Sequence, residues 1–325
     1  MKATSIAPSN IAFIKYWGKK DEILRLPENG SISMNLSNLL TTTTVEFNHT
    51  YKSDSITING IQEPNDGNRA IKHLDRIRKL ASLSQKAKVV TINNFPSSTG
   101  LSSSSSGFAA LTLAGTKAAG LELSEKELSI LARQGSGSAC RSIPDGFVEW
   151  LDGDTSESSY ARSLYPTDYW VIADVVAIVS EGKKDISSAE GQKLVNSSPF
   201  FSVRRSHMAE KIKKMKEILK EKNFRDFGEL LEAEALELHA IMLTSTPSLI
   251  YWTPGTFKIM KLVKKWRTEG LSVYFTINTG QDIHLICEKK NIKKIVVKLK
   301  DIKEVKNIIV NYPTIGARLN PNHLF

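Results

Sequence analysis

The side chains best suited to chemistry form a run of hydroxyls between two apolar segments. Five serines, Ser102 to Ser106, follow Gly100 and precede Gly107, and the β-branched stretch Val89 to Ile92 comes before them. With the Ala- and Leu-rich stretch that follows, this order predicts a strand, a loop and the N-terminus of a buried helix. Such a junction attracts phosphate through unpaired backbone N–H groups and the helix dipole, and serine hydroxyls can add hydrogen bonds or ligate Mg²⁺. The candidate phosphate-loop residues are Gly100, Ser102, Ser103, Ser104 and Gly107.

This loop is not a Walker loop, because no Gly-Lys-Ser/Thr follows at the required spacing. A serine-rich linker is the alternative interpretation of such a run. A linker is not expected between two apolar segments of core type, so the pattern favours a phosphate loop.

Two further segments combine cations with hydroxyls or aromatic rings. Lys15, Tyr16 and Lys19 come after an apolar strand-like stretch and could bind an anion, although a strand end capped by aromatics explains the same pattern. The segment Gly135 to Ser142 places small residues beside Arg141 and could bind a second anion. A tight connection between a helix and a strand is the alternative there, and the glycines alone do not decide.

The composition is that of an ordinary globular protein. The chain has 325 residues, of which 41% are hydrophobic and 24% charged, enough for one large or two ordinary domains with a core. Its net charge is +10, and lysines concentrate at residues 211–222 and 289–306. They alternate with apolar residues at helical spacing, which is typical of exposed helix faces, so nucleic-acid binding is not expected. A basic balance also suits a small, highly anionic substrate.

Several other classes of protein are disfavoured. The two cysteines, Cys140 and Cys287, imply neither a disulfide framework nor a zinc cluster, and no metal site made of clustered side chains is expected. The sequence shows no signal peptide and no run of about 18 apolar residues, so it predicts a cytoplasmic protein without a membrane partner.

Strand and helix patterns surround the candidate residues. Alternation in Ser31–Leu36 and Thr41–Phe47 predicts antiparallel strands. Residues 104–119 predict the helix after the serine loop, and Ser124 is the predicted N-cap of the next helix. The order strand, strand, helix, strand after Leu271 predicts a second α+β layer.

Four longer motifs occur in order along the chain. They are Asn-Ile-Ala-Phe-Ile-Lys-Tyr-Trp-Gly-Lys-Lys-Asp from Asn10, Asn-Asn-Phe-Pro and then Gly-Leu-Ser-Ser-Ser from Asn93, Gly-Ser-Gly-Ser-Ala-Cys-Arg-Ser from Gly135, and Lys-Lys-Asp-Ile-Ser-Ser from Lys183. Over almost the whole chain, this order and spacing resembles the mevalonate diphosphate decarboxylase family of the GHMP kinase superfamily.

The resemblance implies an α+β protein with the GHMP kinase fold. The N-terminal lobe, residues 1–180, would be similar to the second domain of ribosomal protein S5 and carry the phosphate-binding loop. The C-terminal lobe, residues 181–325, would be ferredoxin-like with a split β-α-β order, and the active site would lie between the lobes. The resemblance also implies a carboxy-lyase that acts on a small phosphorylated mevalonate as a homodimer.

By position, the resemblance assigns four residues to the terminal phosphate of the substrate: Tyr16, Lys19, Ser136 and Ser138. Arg141 would hold the substrate carboxylate, Lys15 would support the reacting centre, and Ser188 would contact the substrate from the second lobe. Ser103 and Ser104 would face the transferred phosphate and Mg²⁺. These roles suit the reaction, because loss of phosphate leaves positive character at C3 while the carboxylate is held for expulsion. Arginine suits a carboxylate because its fork binds bidentately and stays charged.

One segment departs from the family pattern. The family's catalytic aspartate sits in a Thr-x-Asp-Ala-Gly-Pro-Asn segment, which corresponds to Thr276–Asp282 here, so Asn278 stands at the position of the base. An amide cannot accept the proton of the 3-hydroxyl group as a carboxylate can. Asp282 is a tentative substitute. Ala189 stands where some members have an arginine, which removes one cation for a diphosphate tail.

Three hypotheses follow from this departure. The favoured one is an archaeal enzyme of the Thermoplasma type that removes the 3-phosphate and CO₂ from mevalonate 3,5-bisphosphate, giving isopentenyl phosphate with no cofactor. The second is an ATP- and Mg²⁺-dependent diphosphomevalonate or phosphomevalonate decarboxylase, which uses Asp282 or carries an engineered inactivating change at Asn278. The third is a 3-kinase that does not decarboxylate. A fourth, an inactive regulator or nucleic-acid binder with this fold, is disfavoured because Lys15, Lys19 and Arg141 are all present.

Overall fold

The computed structural model describes residues 1–65, 68–96, 100–180, 182 and 186–325. Ser97 to Thr99 of the serine loop and Lys183 to Asp185 of the fourth motif lie outside the described residues. The strands, in chain order, are β1 (Lys2–Ile14), β2 (Lys19–Asp21), β3 (Leu26–Pro27), β4 (Ser31–Asn48), β5 (Ser55–Ile58), β6 (Ile61–Gln62), β7 (Lys86–Asn93), β8 (Phe147–Trp150), β9 (Ala161–Tyr165), β10 (Ile172–Ile178), β11 (Val273–Thr276), β12 (Ile283–Glu288), β13 (Asn307–Asn311) and β14 (Arg318–Leu319). The α-helices are α1 (Arg69–Ala81), α2 (Ser103–Ala118), α3 (Glu125–Gly135), α4 (Ser188–Gly191), α5 (Phe201–Glu221), α6 (Phe224–Leu243), α7 (Pro254–Thr268) and α8 (Ile292–Lys300).

The first sheet has the order β14-β1-β4-β7-β5-β6, and β8 and β9 extend it from β4. β1 and β4 pair antiparallel along most of their length, with a register shift between Pro8 and Asn10. Proline has no N–H to donate to the ladder, which explains the shift at this point. The two strands predicted within residues 31–47 form the single strand β4, because β1 pairs with both halves.

Helix α2 packs against the first sheet and is buried along most of its length. Its small side chains, among them Ala109, Ala110 and Ala114, allow the helix to approach the sheet closely. The predicted N-cap at Ser124 is confirmed at the start of α3, where its side chain and that of Glu127 form a capping box.

The second sheet is antiparallel and has the order β11-β12-β10-β13. One face packs on α7 and α8 through an apolar cluster that includes Val175, Ile259 and Phe275. A separate apolar cluster joins the two sheets through α5 and α6, where the ring of Phe13 on β1 meets that of Phe227 on α6 edge to face at 4.8 Å. This shared core places the end of β1 next to elements of the second sheet.

The chain does not divide between the sheets strictly in sequence order. β10 precedes residue 180 but belongs to the second sheet, and β14 returns to pair with β1 of the first. The division into two lobes at residue 180 stays a prediction. None of the helices in the described part of the chain combines the length and apolarity that a bilayer crossing requires.

Candidate active site

A cleft of about 250 Å³ lies where the end of β1, the start of α2 and the turn after β11 meet. Most of the predicted site residues line it. They are Lys15, Tyr16, Gly100, Ser102, Ser103, Ser104, Ser136, Ser138, Arg141, Ser188 and Asn278. Folding therefore brings together chemically active side chains that are up to 263 positions apart in the chain.

The start of α2 forms one wall of the cleft. Ser102 stands at the N-cap position with a left-handed φ of 57°, and its side chain makes no capping hydrogen bond. Its Oγ instead accepts a hydrogen bond from Asn278 Nδ2 at 3.0 Å, while Ser136 Oγ lies 3.4 Å from Ser104 Oγ across the cleft. The first turn of α2 has no acidic residue, so hydroxyls and the positive end of the helix dipole are close together. This donor set fits a phosphate group.

Gly100 allows the serine loop to touch the turn that holds Asn278. Its φ is +114°, and a Cβ at this position would lie 2.5 Å from Gly280 Cα. A side chain there would be strained and would push the two segments apart. Gly107 lies one turn into α2, outside the cleft lining, and a Cβ there would meet nothing within 4 Å.

Lys15 is buried at the end of β1, with 2% of its surface exposed. Its Nζ donates to Ala12 O at 2.6 Å and to Asn278 Oδ1 at 3.2 Å. Burial lowers the pKa of Lys15 from the ordinary value of 10.5 to about 7, because an ammonium away from water is unfavourable. The amino group is therefore close to the balance between its charged and neutral forms at pH 7.

Arg141 is the second buried cation and is held by neutral groups. It lies in the 3₁₀ turn Gly137–Ser142 and is 4% exposed. One guanidinium nitrogen donates to Ser31 Oγ at 2.8 Å and the other to Asn10 Oδ1 at 3.0 Å. Among the described residues, no carboxylate lies within ion-pair distance of Arg141, so its charge is available to an anionic ligand.

Tyr16 and the segment after α3 form the opposite end of the cleft. The Tyr16 ring packs edge to face on Trp150 at 4.6 Å, and a Cβ at Gly137 would lie 2.9 Å from Tyr16 Oη. Glycine at position 137 thus lets the phenol sit against this turn. Ser138 Oγ is hydrogen bonded to Ser105 Oγ of α2, which links the turn to the phosphate loop.

Besides Gly107, two more predicted site residues do not line the cleft. Lys19 forms an ion pair with Glu22 next to the β2–β3 hairpin. Asp282 is 2% exposed, and its Oδ1 accepts a hydrogen bond from the backbone N–H of Val179 at 2.9 Å. This carboxylate joins the segment before β12 to the segment after β10, so the geometry does not support its tentative role as the base.

Two arginines that the sequence analysis did not single out also line the cleft. Arg25, in the β2–β3 hairpin, donates from Nε to Gln134 O at 3.0 Å, and Arg69, in the first turn of α1, donates to Gly135 O at 3.0 Å. Burial, with the nearby charge of Arg25, lowers the pKa of Arg69 from 12.5 to about 10. A lone arginine in a short hairpin or at a helix start has no motif around it, so only the tertiary structure identifies these two.

Residues of α6 and α4 hold the turn that contains Asn278. His239 Nε2 donates to the backbone O of Asn278 at 3.0 Å, and its ring stacks on Trp252 at 4.6 Å. Burial lowers the pKa of His239 from 6.5 to about 3, so the ring is neutral at pH 7. Ser188 Oγ is hydrogen bonded to Thr279 Oγ1, which places the start of α4 against the same turn.

Comparisons with known proteins match both parts of the chain. A family model described as "Diphosphomevalonate decarboxylase-like N-terminal domain" matches residues 7–161, and one described as "Mevalonate 5-diphosphate decarboxylase C-terminal domain" matches residues 174–318. Diphosphomevalonate decarboxylase of Candida albicans is 36% identical over 312 residues, which are 90% of this chain and 86% of the relative.

Solved structures of the family superpose on almost the whole chain. The complex of MDDEF with MVAPP, AMPPCP and magnesium has a TM-score of 0.92 and 36% identity, covering 98% of this chain and 99% of that one. A structure of mevalonate diphosphate decarboxylase from Enterococcus faecalis, described with a mevalonate diphosphate mediated ATP binding mechanism, has a TM-score of 0.91 and 35% identity, with the same coverage. The prediction of an α+β protein with the GHMP kinase fold is confirmed.

The same relatives correct the favoured hypothesis from the sequence. Mevalonate 3,5-bisphosphate as substrate and the absence of a cofactor are wrong, because the related structures hold an ATP analogue with magnesium and bind mevalonate diphosphate. The archaeal source is also contradicted, since the relatives above come from a yeast and a bacterium. That hypothesis depended on the turn that contains Asn278, in which several residues depart from the family pattern, and one divergent turn did not outweigh the similarity of the rest of the chain.

The family assignment rests on both halves of the chain and on the cleft between them. The two family models together match most of the 325 residues. The four motifs found in the sequence meet in one cationic, hydroxyl-lined cleft, as far as their residues are described. The chain belongs to the mevalonate diphosphate decarboxylase family, a family of decarboxylases in the GHMP superfamily.

Proposed function

We propose that this chain catalyses the ATP-dependent decarboxylation of mevalonate 5-diphosphate to isopentenyl diphosphate, with release of ADP, phosphate and CO₂. The observation that carries the proposal is a pair of buried basic side chains, Arg141 and Lys15, which line one cleft with the serine-rich start of α2 and have no carboxylate in contact with their side-chain nitrogens among the described residues. A buried charge that lacks a counter-ion is costly unless an anionic ligand supplies one. Mevalonate diphosphate supplies a carboxylate and a diphosphate.

The start of α2 is the proposed site for the phosphate that is transferred. Ser102, Ser103 and Ser104 bring hydroxyls to the helix N-terminus. ATP with Mg²⁺ supplies the phosphoryl group that turns the tertiary hydroxyl into a leaving group. The described residues contain no group of three or more His, Cys, Asp or Glu that could hold a metal. Serine hydroxyls and phosphate oxygens would then be the ligands, which suits Mg²⁺.

Arg141 is the proposed clamp for the substrate carboxylate. Its guanidinium is fixed by Ser31 and Asn10, so it can present two parallel N–H groups without reorganising. When the C3–O bond breaks, both electrons leave with the phosphate. The C1–C2 bond then breaks, its electron pair forms the C2–C3 double bond, and CO₂ leaves from the guanidinium. A carboxylate held in line with the breaking C3–O bond makes this sequence efficient.

The far end of the cleft is the proposed site for the 5-diphosphate. Tyr16, Ser136 and Ser138 offer hydroxyls there, and Arg25 and Arg69 add two positive charges. Ala189 stands where some members of the family have an arginine, and Arg25 and Arg69 would supply positive charge in its place. Lys19 would have to leave Glu22 to reach the diphosphate, so its role stays a prediction, as does the contact of Ser188 with the substrate. The homodimer likewise stays a prediction, to be checked by sedimentation velocity.

The proposal is tested by incubating the protein with mevalonate 5-diphosphate or 5-phosphate, each with and without ATP and Mg²⁺. ADP, phosphate and CO₂ are measured in parallel. We expect equal amounts of the three products from the 5-diphosphate, and none without ATP. ADP without CO₂ would identify a 3-kinase, and CO₂ released without ADP from any substrate would contradict the proposal.

A further inference from the structure

The cleft lacks the group that normally takes a proton in such a reaction. Phosphorylation of a tertiary alcohol requires that the oxygen lose its proton as it attacks phosphorus. Among the described residues that line the cleft, there is no aspartate, glutamate or histidine. Asn278 occupies the position of the family's aspartate, and its amide cannot be protonated at neutral pH. Burial raises the pKa of Tyr16, which leaves its phenol with a proton.

Apart from the arginines, Lys15 is the titratable group that remains among the described residues of the lining, and its two hydrogen bonds are compatible with a neutral amine. Asn278 Nδ2 donates to Ser102 Oγ at 3.0 Å, so the amide is oriented with Oδ1 toward Lys15 Nζ. The other contact of Nζ is with the backbone O of Ala12. A neutral amine has two N–H groups and one lone pair. These two acceptors use both hydrogens, and the lone pair is left for the cleft that Lys15 lines.

The negative groups around Lys15 are engaged elsewhere. Glu234 on α6 is held by the Arg204 guanidinium of α5 through two hydrogen bonds of 3.0 and 3.1 Å, and its contact with Lys15 is to the backbone N–H. Asp174 on β10 accepts hydrogen bonds from His284 at 2.9 and 3.1 Å. Both carboxylates raise the pKa of Lys15, but neither is within hydrogen-bond distance of Nζ.

The positive and neutral groups around Lys15 act in the opposite direction or not at all. Arg141 in the 3₁₀ turn and Arg204 on α5 both lower the pKa of Lys15, in addition to the dominant effect of burial. His239 on α6 is neutral and points to the backbone of Asn278. The net result is the pKa of about 7 noted above.

We propose that Lys15 replaces the missing carboxylate and accepts the proton of the substrate's 3-hydroxyl group, with Asn278 as the residue that positions it. This proposal rests on the function proposed above. The O–H bond breaks and its electrons stay on oxygen, which forms the new bond to phosphorus, while a new N–H bond converts the amine to an ammonium. The ammonium then lies beside the phosphate that leaves, and it returns the proton to water when the products depart.

The first test measures Lys15 itself, in the free protein without nucleotide or substrate. Lysine labelled with ¹³C at Cε is titrated by NMR, and the Lys15→Met variant assigns the signal. We expect a midpoint near pH 7 in the wild type. In Asn278→Asp a carboxylate takes the place of the amide, and the midpoint rises by roughly 1–3 pH units. A wild-type midpoint near the ordinary value of 10.5 would overturn the proposal.

The second test measures the pH dependence of kcat/KM, which reports groups of the free enzyme and the free substrate. The wild type should lose activity below about pH 7, as Lys15 becomes protonated. In Asn278→Asp the carboxylate can accept the proton, so this limb should move to lower pH. Ionisation of the substrate phosphates is common to both proteins and cannot produce a difference between them. Superimposable profiles would contradict the proposal.

Two substitutions of Lys15 separate its charge from its basicity. Lys15→Arg keeps a cation but cannot accept a proton, and Lys15→Met removes both. We expect each to lower kcat by roughly 10²–10⁴-fold with a smaller change in KM. Lys258→Met, which removes an exposed lysine on α7 paired with Glu304, is the matched control and should leave kcat unchanged.

The two proposals fail in different ways. If the wild type forms no ADP with any mevalonate phosphate, the proposed function fails, whatever the titration of Lys15 shows. If the wild type turns over normally but Lys15→Arg keeps its kcat within about threefold, the function stands and the role of Lys15 is wrong. Should either variant fold poorly, the NMR midpoint of the wild type still decides the proton acceptor.

Discussion

Two pairs of buried groups meet at Lys15, and they differ in their partners. On one side, Arg204 is enclosed by the carboxylate of Glu234 and also donates to Lys15 O at 3.0 Å. On the other side, Lys15 and Arg141 donate only to neutral oxygens among the described residues. Both environments are almost free of solvent, so burial does not distinguish them.

The difference separates a charge that holds the structure from basic side chains that have no acidic partner in contact with them among the described residues. The Arg204–Glu234 pair is complete, and it links α5 and α6 to the end of β1. Arg141 in the cleft has no negative charge in contact with it among the described residues, and a bound anion would supply one. Four substitutions test this contrast, and they are given from the largest expected effect to the smallest.

The largest effect is expected when one partner of the complete pair is removed. Arg204→Met leaves Glu234 buried, with Lys211 as its remaining ion-pair partner among the described residues, and we expect a loss of about 3–5 kcal/mol in the free energy of unfolding. The control is Arg225→Met, which breaks the exposed pair with Glu229 and should cost less than about 0.5 kcal/mol. Urea unfolding measures both variants, and equal losses would erase the distinction between the two environments.

The next effect falls on the rate instead of the stability. Arg141→Lys keeps the charge but loses the bidentate grip, and kcat/KM should fall by roughly 10²–10³-fold, about 2.7–4 kcal/mol. Arg162→Lys is the matched control, since Arg162 binds Glu149 at the protein surface. Steady-state kinetics with mevalonate 5-diphosphate measure the effect. Unchanged activity of Arg141→Lys would contradict the proposal that Arg141 binds the substrate carboxylate.

The arginines at one end of the cleft should also oppose further positive charge nearby, and His73, a buried residue of α1 that does not line the cleft, tests this. Burial first, then Arg76, Arg25 and Arg69, lower the pKa of His73 from 6.5 to about 3. Between these values the unfolded chain binds the proton and the folded protein does not, so stability decreases as the pH falls from 6.5 towards 3. From pH 6.5 to 4.5, wild type should lose roughly 2 kcal/mol more than His73→Gln.

Urea unfolding of wild type and His73→Gln at pH 6.5, 5.5 and 4.5 measures this difference. The ordinary carboxylates titrate alike in both proteins, so they cancel in the comparison. Parallel pH dependences would mean that His73 takes up its proton in the folded state and that the nearby arginines do not restrain it.

The smallest effect is expected at the diphosphate end of the cleft. Arg25→Ala should raise the KM for mevalonate 5-diphosphate about tenfold, or about 1.4 kcal/mol, because one charged hydrogen bond is lost. Arg76→Ala removes a nearby arginine that does not line the cleft, so its KM should stay close to that of wild type. If both variants have the same KM, Arg25 does not contact the diphosphate and affects binding only through long-range electrostatics.

Local signals in the sequence predicted much of this protein. Ser124 with Glu127 predicted the start of α3, because a capping box involves only neighbouring residues. The serine loop followed by the buried helix predicted a phosphate site, and the motifs around Lys15 and Arg141 predicted two of the cations that line the cleft. The family could be predicted as well, since several motifs in order carry more information than any single residue.

What the sequence did not determine depends on contacts between distant segments. Arg25 and Arg69 join the cleft only because the β2–β3 hairpin and α1 both pack beside the turn after α3. Asp282, considered as a substitute base, and Lys19, assigned to the terminal phosphate, are held by Val179 and Glu22 instead.

Sequence alone therefore determined which chemical groups this chain could bring to a site, because hydroxyls and basic side chains next to a strand end or a helix start are local patterns. The tertiary structure decided which of those groups meet, which lose their water and which find a counter-charge. Lys15 shows this most clearly. One motif in the sequence identifies it as a site residue. The proximity of Asn278, 263 positions away, and the absence of a carboxylate at Nζ among the described residues are results of folding. A shifted pKa is a property of the environment, and only the folded chain creates that environment.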